Sequence, residues 1–222
     1  MFMKKNWWKI LAVILLFYTI IQGFLGEVSR QPILNETVRN LYFHVTMWFA
    51  MLTLLTISVV NSIKYLSKGE EKFDLKAAEY VNTALLFGIL GCITGSIWGN
   101  FTWGDPWPND PKLNAVAIGM LIYFAYLVLR GSFDDEQKRA RISAIYNIFA
   151  FAVFIPLIFI LPRMTDSLHP GNGGNPGLAP ADTNNNMRMV FYPAIIGWTL
   201  LGVWITTLRI RLKTIENKLN EQ

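Results

Sequence analysis

Charge is scarce in this chain of 222 residues: 16% are Asp, Glu, Lys or Arg, against about 25% in ordinary soluble domains. Cysteine is nearly absent. The single Cys92 cannot close an internal disulfide or supply a CxxC pair, which excludes intramolecular thiol redox chemistry. There is no Walker-type loop, no HExxH and no nucleophile elbow, so phosphate-loop, zinc-protease and serine-hydrolase chemistries lack their residues. Histidine occurs twice, as His44 and His169. What is plentiful is apolar: 53% of residues are hydrophobic and 14% aromatic. The few charges are segregated between long uncharged blocks, which rules out a soluble globular enzyme, a disordered chain and a disulfide scaffold. The net charge of +5 has a simpler use in a membrane protein than in binding nucleic acid, and no nucleic-acid partner is expected.

The uncharged blocks run Ile10 to Gly26, Asn40 to Ile63, Tyr80 to Gly104, Leu113 to Leu129, Ile142 to Pro162 and Met189 to Leu208. A helix crossing the hydrocarbon core needs roughly 17–25 residues, and every block is in or near that range. The pattern predicts an all-α integral membrane protein forming one domain over 1–222, with spans near 8–26, 41–64, 79–99, 113–130, 142–162 and 189–209. An even number of spans puts both termini on one side. Fifteen of the 20 Lys and Arg fall on that side, and five (Arg30, Arg39, Lys112, Arg163, Arg188) on the other. By the positive-inside rule the termini are cytoplasmic, and segments 27–40, 100–112 and 163–188 are the outer loops. The first apolar stretch exceeds a signal-peptide core and no A-x-A-like cleavage site follows it, so it is expected to remain as a helix.

The unusual residues gather on the outer side. His44, Met47, Trp48 and Met51 share one face of the second span. That face is either a packing stripe with an interfacial histidine or an aromatic, thioether-lined wall presenting an imidazole. Two neutral imidazoles on opposing walls are what a bis-histidine haem site needs. Trp98, Trp103 and Trp107 crowd the middle outer segment, which continues through Pro106, Pro108 and Pro111. The prolines forbid a regular helix through its second half, so the segment is expected to be an irregular shelf for a flat ligand, or else an interfacial aromatic belt. Gly91, Gly95 and Gly99 read as close helix packing, and Pro156 as a kink. The stretch His169 to Gly177 is a lid or a plain linker. No charged residue occupies mid-span, as ion-coupled carriers normally require. Two histidines on one side cannot conduct electrons across the membrane.

These residues resemble the cytochrome c assembly proteins that share the tryptophan-rich WWD signature, most of all the CcmC-type haem-delivery subunit of system I cytochrome c maturation. The resemblance rests on Thr94-Gly-Ser-x-Trp98-Gly99, Trp103-Gly104, Trp107, Asp110, Lys112-Leu113, Arg39 five residues before His44, and Phe133-Asp-Asp135. It covers the second to sixth spans. The family's usual arginine is Lys112 here, and Pro106 and Asn109 stand where further tryptophans are common. The resemblance implies non-covalent, transient binding of b-type haem at the periplasmic face of the bacterial inner membrane. His44 and His169 are then the axial ligands, and Trp98, Trp103, Trp107 and Asp110 the shelf and docking edge. Arg39 and Lys112 meet the haem propionates. It further implies transfer of haem to a periplasmic chaperone of the CcmE type, assisted by ABC-type subunits of the same system, and no catalysis by the chain itself. The alternatives are a haem lyase component like CcsA or CcmF, and a structural membrane subunit without haem.

Overall fold

A computed structural model describes residues 2–28, 34–169 and 184–220. Six helices are long and apolar enough to cross a membrane: α1 (Phe2–Leu25), α2 (Val45–Lys68), α3 (Glu71–Trp103), α4 (Pro111–Gly131), α5 (Glu136–Ile155) and α6 (Asn185–Asn220). No strand occurs among the described residues. The segment Pro170 to Gly177, expected as lid or linker, lies outside them.

Local chemistry sets the helix ends. Gly69 and Gly104 close α2 and α3 in the left-handed conformation, at φ of 69° and 76°, which costs glycine nothing for want of a Cβ. Asp110 and Asp135 cap the starts of α4 and α5 through their carboxylates. Pro111 follows as the first residue of α4, where its missing N–H goes unnoticed. The kink expected at Pro156 takes the form of a π turn, Pro156–Ile160, ahead of a short 3₁₀ turn, Leu161–Arg163. A proline lacks the donor that a regular α turn needs, and the wider turn absorbs the loss.

Helices α2 and α3 pack most extensively, and α4 and α5 complete a core around Met51, Leu54, Phe87, Tyr123 and Phe154. Helix α1 lies mainly against α6 and exposes Trp7, Val13, Ile14, Phe17 and Phe24, a surface suited to lipid. A 3₁₀ segment, Asn35–Tyr42, leads into α2 and packs Val38, Leu41 and Tyr42 against Met187, Val190 and Phe191 at the start of α6.

The helices outrun the uncharged blocks. Helix α3 starts at Glu71 and α6 continues to Asn220, because charge limits only the part of a helix that meets hydrocarbon. The α3 extension supplies ion pairs at the bundle end away from His44: Asp74 with Arg130 through bonds of 2.7 and 2.5 Å, and Glu79 with Arg209 at 2.6 Å.

Candidate functional site

The start of α2, the end of α3, the start of α4 and the chain after α5 meet at one end of the bundle, around a cavity of about 180 Å³ that is open on one side. His44, His169, Trp98, Trp103, Trp107 and Lys112 all contribute to its wall. Six of the eight residues singled out from the sequence therefore converge, although they span 125 positions of chain.

His44 is the residue just ahead of α2, held against α3. Its Nδ1–H donates to the Gly91 carbonyl at 2.9 Å. A carbonyl can only accept, so the proton is on Nδ1 and the lone pair on Nε2, the form in which imidazole ligates a metal. Trp48 and Trp98 stand edgewise to the His44 ring, with centroids 6.2 and 5.8 Å away. The Trp98 indole N–H donates to Thr37 Oγ1 at 3.0 Å, which fixes that ring from the 3₁₀ segment.

The glycines of α3 serve these rings. A Cβ on Gly91 would come within 2.7 Å of Trp48, and one on Gly95 within 2.6 Å of His44 Cε1. Close packing was expected of these glycines, and α3 does pack closely on α2. The space they leave is filled by the two rings rather than by the facing backbone.

His169 approaches from the loop after α5, and Trp103 lies 5.2 Å away, ring centre to ring centre. Burial, and next the Lys112 ammonium, hold the His169 imidazole well below its usual range. The ring is therefore neutral at neutral pH and can offer a lone pair.

Three expectations are corrected. Trp98 is on α3, within the expected span 79–99, but Trp103, expected on the irregular shelf, is on α3 as well, because the proline restriction begins only after Gly104; among the three, Trp107 alone is on the loop. Asp110, expected to face water as a docking edge, is 1% exposed. Its carboxylate accepts from the backbone N–H of Lys112 and Leu113 and, across 58 residues, from that of Leu168. Burial alone would raise its pKa, but the hydrogen bonds from Leu168 and Ser167 outweigh it and keep the carboxylate ionised. Arg39 does not reach the cavity wall. Its guanidinium donates to the Gly23 and Gly26 carbonyls at 3.2 and 2.6 Å and pairs with Glu36, fastening the end of α1 to the 3₁₀ segment.

The wall suits a flat, apolar ligand with a metal centre. It offers two neutral imidazoles, indole faces, glycine clearance and one cation, Lys112. Thr102 Oγ1, in the same wall, is buried without a hydrogen-bond partner. Such a group costs about 1–3 kcal/mol unless something polar meets it. The residues present therefore fit haem: two nitrogen ligands for iron, stacking surfaces for the macrocycle, and a cation and hydroxyl for its polar edge.

Residues 2–222 match the family model for CcmC, heme exporter protein C. The chain belongs to the heme exporter protein C family. A heme exporter protein C of Bradyrhizobium diazoefficiens is 28% identical over 164 residues, which are 73% of this chain and 61% of that protein. The Escherichia coli K12 heme exporter protein C is 25% identical over 206 residues, 92% of this chain and 81% of its own length. A cytochrome c biogenesis protein CcsA of Prochlorococcus marinus is 35% identical over 102 residues, which cover 44% of this chain and 32% of that protein.

Within this heme exporter protein C family member, sequence reasoning passed over several residues that shape the site. Thr102, Ser167, and the π-turn residues Ile158 and Phe159, which also line the cavity, carried no motif. Asp110 did carry a signal, because Asp followed by Pro is an N-cap with its first helical residue. That signal places Asp110 at a helix start but says nothing of Leu168.

Proposed function

We propose that the chain binds b-type haem non-covalently and transiently at the periplasmic face of the bacterial inner membrane, and passes it to a periplasmic haem chaperone of the CcmE type. The observation that carries this reading is the convergence of the chain's only two histidines on one tryptophan-lined cavity. His44 and His169 would hold the iron, Trp98 and Trp103 the faces of the macrocycle, and Lys112 with Thr102 its carboxylate edge. Haem itself supplies an iron that takes two axial nitrogens; the protein contributes ligands, clearance and charge. Trp107, 38% exposed on the loop, stands where a chaperone would touch the bound ligand. The charge asymmetry between loops supports cytoplasmic termini and a periplasmic site. ABC-type subunits of the same maturation system are the partners that release the loaded chaperone, and the chain carries out no covalent chemistry of its own.

The likeness to a CcsA over 44% of the chain favours one second reading, a component of a cytochrome c haem lyase. One experiment addresses both. The protein is purified and its Soret spectrum recorded, then incubated with apo-chaperone and, separately, with a CxxCH apocytochrome. A bis-nitrogen spectrum followed by haem on the chaperone supports the proposal. Haem appearing covalently on the apocytochrome without a chaperone supports the lyase reading, and absence of any Soret band removes both.

A further inference from the structure

Asp110 is a junction between two parts of the cavity wall that are distant in sequence. Its Oδ1 accepts from the Lys112 N–H at 2.9 Å and so starts α4. Its Oδ2 accepts from the Leu168 N–H at 2.7 Å. Ser167 Oγ donates to Oδ1 at 3.3 Å and in turn receives the His169 N–H at 3.2 Å. The three residues 167–169 are thus pinned to one buried carboxylate. His169 Nδ1 lies 3.3 Å from Oδ1, at an angle that misses a hydrogen bond, and is buried with no other partner. The distance is already within hydrogen-bond range, so only the orientation of the ring separates the two groups from a bond.

We propose that Asp110 is the positioning residue for His169: it anchors the backbone that carries the ring and its carboxylate favours the tautomer with the proton on Nδ1, as the acceptor facing Nδ1–H, leaving Nε2 as the metal-binding nitrogen. This rests on the haem reading above for what His169 does, but the tautomer and the anchoring are properties of the ligand-free protein. The Gly91 carbonyl already plays this part for His44, through a formed bond at 2.9 Å; for His169 the carboxylate is the acceptor within reach, at 3.3 Å. A carboxylate partner fixes a ligating imidazole in one tautomer and raises its basicity. The two histidines would then differ in donor strength, with His169 the stronger.

The chain has two histidines, so ¹⁵N-histidine labelling of haem-free protein, purified through a tag without histidine, gives two imidazoles to assign. Both rings are expected as the Nδ1–H tautomer in the unsubstituted protein. Asp110→Ser keeps a side-chain oxygen to cap α4 but cannot reach Leu168; it should leave His44 unchanged, move His169 to a tautomer mixture and speed exchange of the Leu168 amide at least tenfold. Asp110→Asn also keeps the cap but sets an amide donor against the Leu168 N–H, and should behave likewise. An Nε2–H tautomer at His169 in the unsubstituted protein would overturn the proposal, even if neither variant folds. So would His169 signals that are the same with and without the carboxylate. In haem-loaded membranes, Asp110→Ser should move the spectrum from six- to five-coordinate, as His169→Ala does, while a general loss of structure would release both ligands. If the unsubstituted protein takes up no haem, the haem reading fails and the tautomer measurement still decides the role of Asp110.

Discussion

The Cα of Gly95 faces the imidazole of His44 so closely that an added Cβ would stand 2.6 Å from Cε1. The same ring is tied through Nδ1 to the carbonyl of Gly91, one turn earlier on α3. The absence of a side chain at position 95 thus determines where the imidazole can be. Gly95→Ala should displace the ring and cost about 1–3 kcal/mol by overpacking, with haem per protein falling more than yield. Gly131→Ala, where a Cβ meets nothing within 4 Å, is the control. Equal haem content in the two variants would show that the ring has freedom to spare.

The histidine pair makes a separate prediction. His44→Ala and His169→Ala should each remove one axial bond, leaving haem weakly held between the indoles, and the double variant should copurify with almost none. The check is a pyridine haemochrome assay beside the Soret position. A six-coordinate bis-nitrogen spectrum surviving in a single variant would strike that histidine from the ligand set.

Arg39 and Lys112 were alike from the sequence, both basic and both on the outer side, and the structure separates them. Arg39 is bonded to the Gly23 carbonyl of α1, to the Gly26 carbonyl just beyond it and to Glu36, whereas Lys112 lines the cavity. Arg39→Ala should therefore cost about 1–3 kcal/mol of stability, since hydrogen bonds to a charged group are lost and carbonyls orphaned. Any haem loss should follow the amount of folded protein. Lys112→Ala should lower haem affinity several-fold, by more than any change in the amount of folded protein accounts for. The reverse pattern would return the propionate role to Arg39.

That contrast marks the limit of what the sequence discloses. Six spans are legible because each uncharged block stands alone against the cost of charge in hydrocarbon. The paired histidines are legible because the chain has no others. Direction is not legible: nothing local to Arg39 says that its fork turns back to Gly23 and Gly26, and nothing near Asp110 announces a loop 58 residues later. The end of α3 was misplaced for a similar reason. Proline restricts its own backbone and that of its immediate predecessor, and the α-helix through Trp103 stops instead at a glycine with positive φ.

The proposed orientation of the bundle rests on the distribution of Lys and Arg and can be tested by labelling. Single cysteines are placed at Asn100 and Asn109, near the cavity, and at Lys68 and Gln137, at the far end; all four positions are exposed, and Cys92 is replaced by serine. The first pair should react with a membrane-impermeant maleimide in intact spheroplasts, and the second pair only after lysis. Labelling of position 68 in intact cells would put the cavity on the cytoplasmic side and remove the periplasmic chaperone as its recipient.

Trp107 offers a test of whether holding haem and handing it on can be separated. All three tryptophans line the cavity; Trp98 is fixed by Thr37 and Trp103 is beside His169 on α3, while Trp107 is at the loop edge of the wall and 38% exposed. Its backbone N–H donates to the Asp105 carboxylate at 2.8 Å, which shapes the loop without using the indole. Trp107→Ala should therefore leave axial ligation and haem content close to those of the unsubstituted protein, because it removes neither an iron ligand nor a buried anchor. Capture of the periplasmic chaperone should fall by tenfold or more, the usual scale when an exposed aromatic at the centre of an interface is truncated. An interfacial belt residue behaves differently: membrane yield drops, and the protein that remains captures chaperone normally. Haem per protein, chaperone copurification and yield, all measured on one preparation, distinguish the outcomes. Unchanged capture at unchanged haem content would confine the working site to the two histidines, the two helical tryptophans and the residues that hold them.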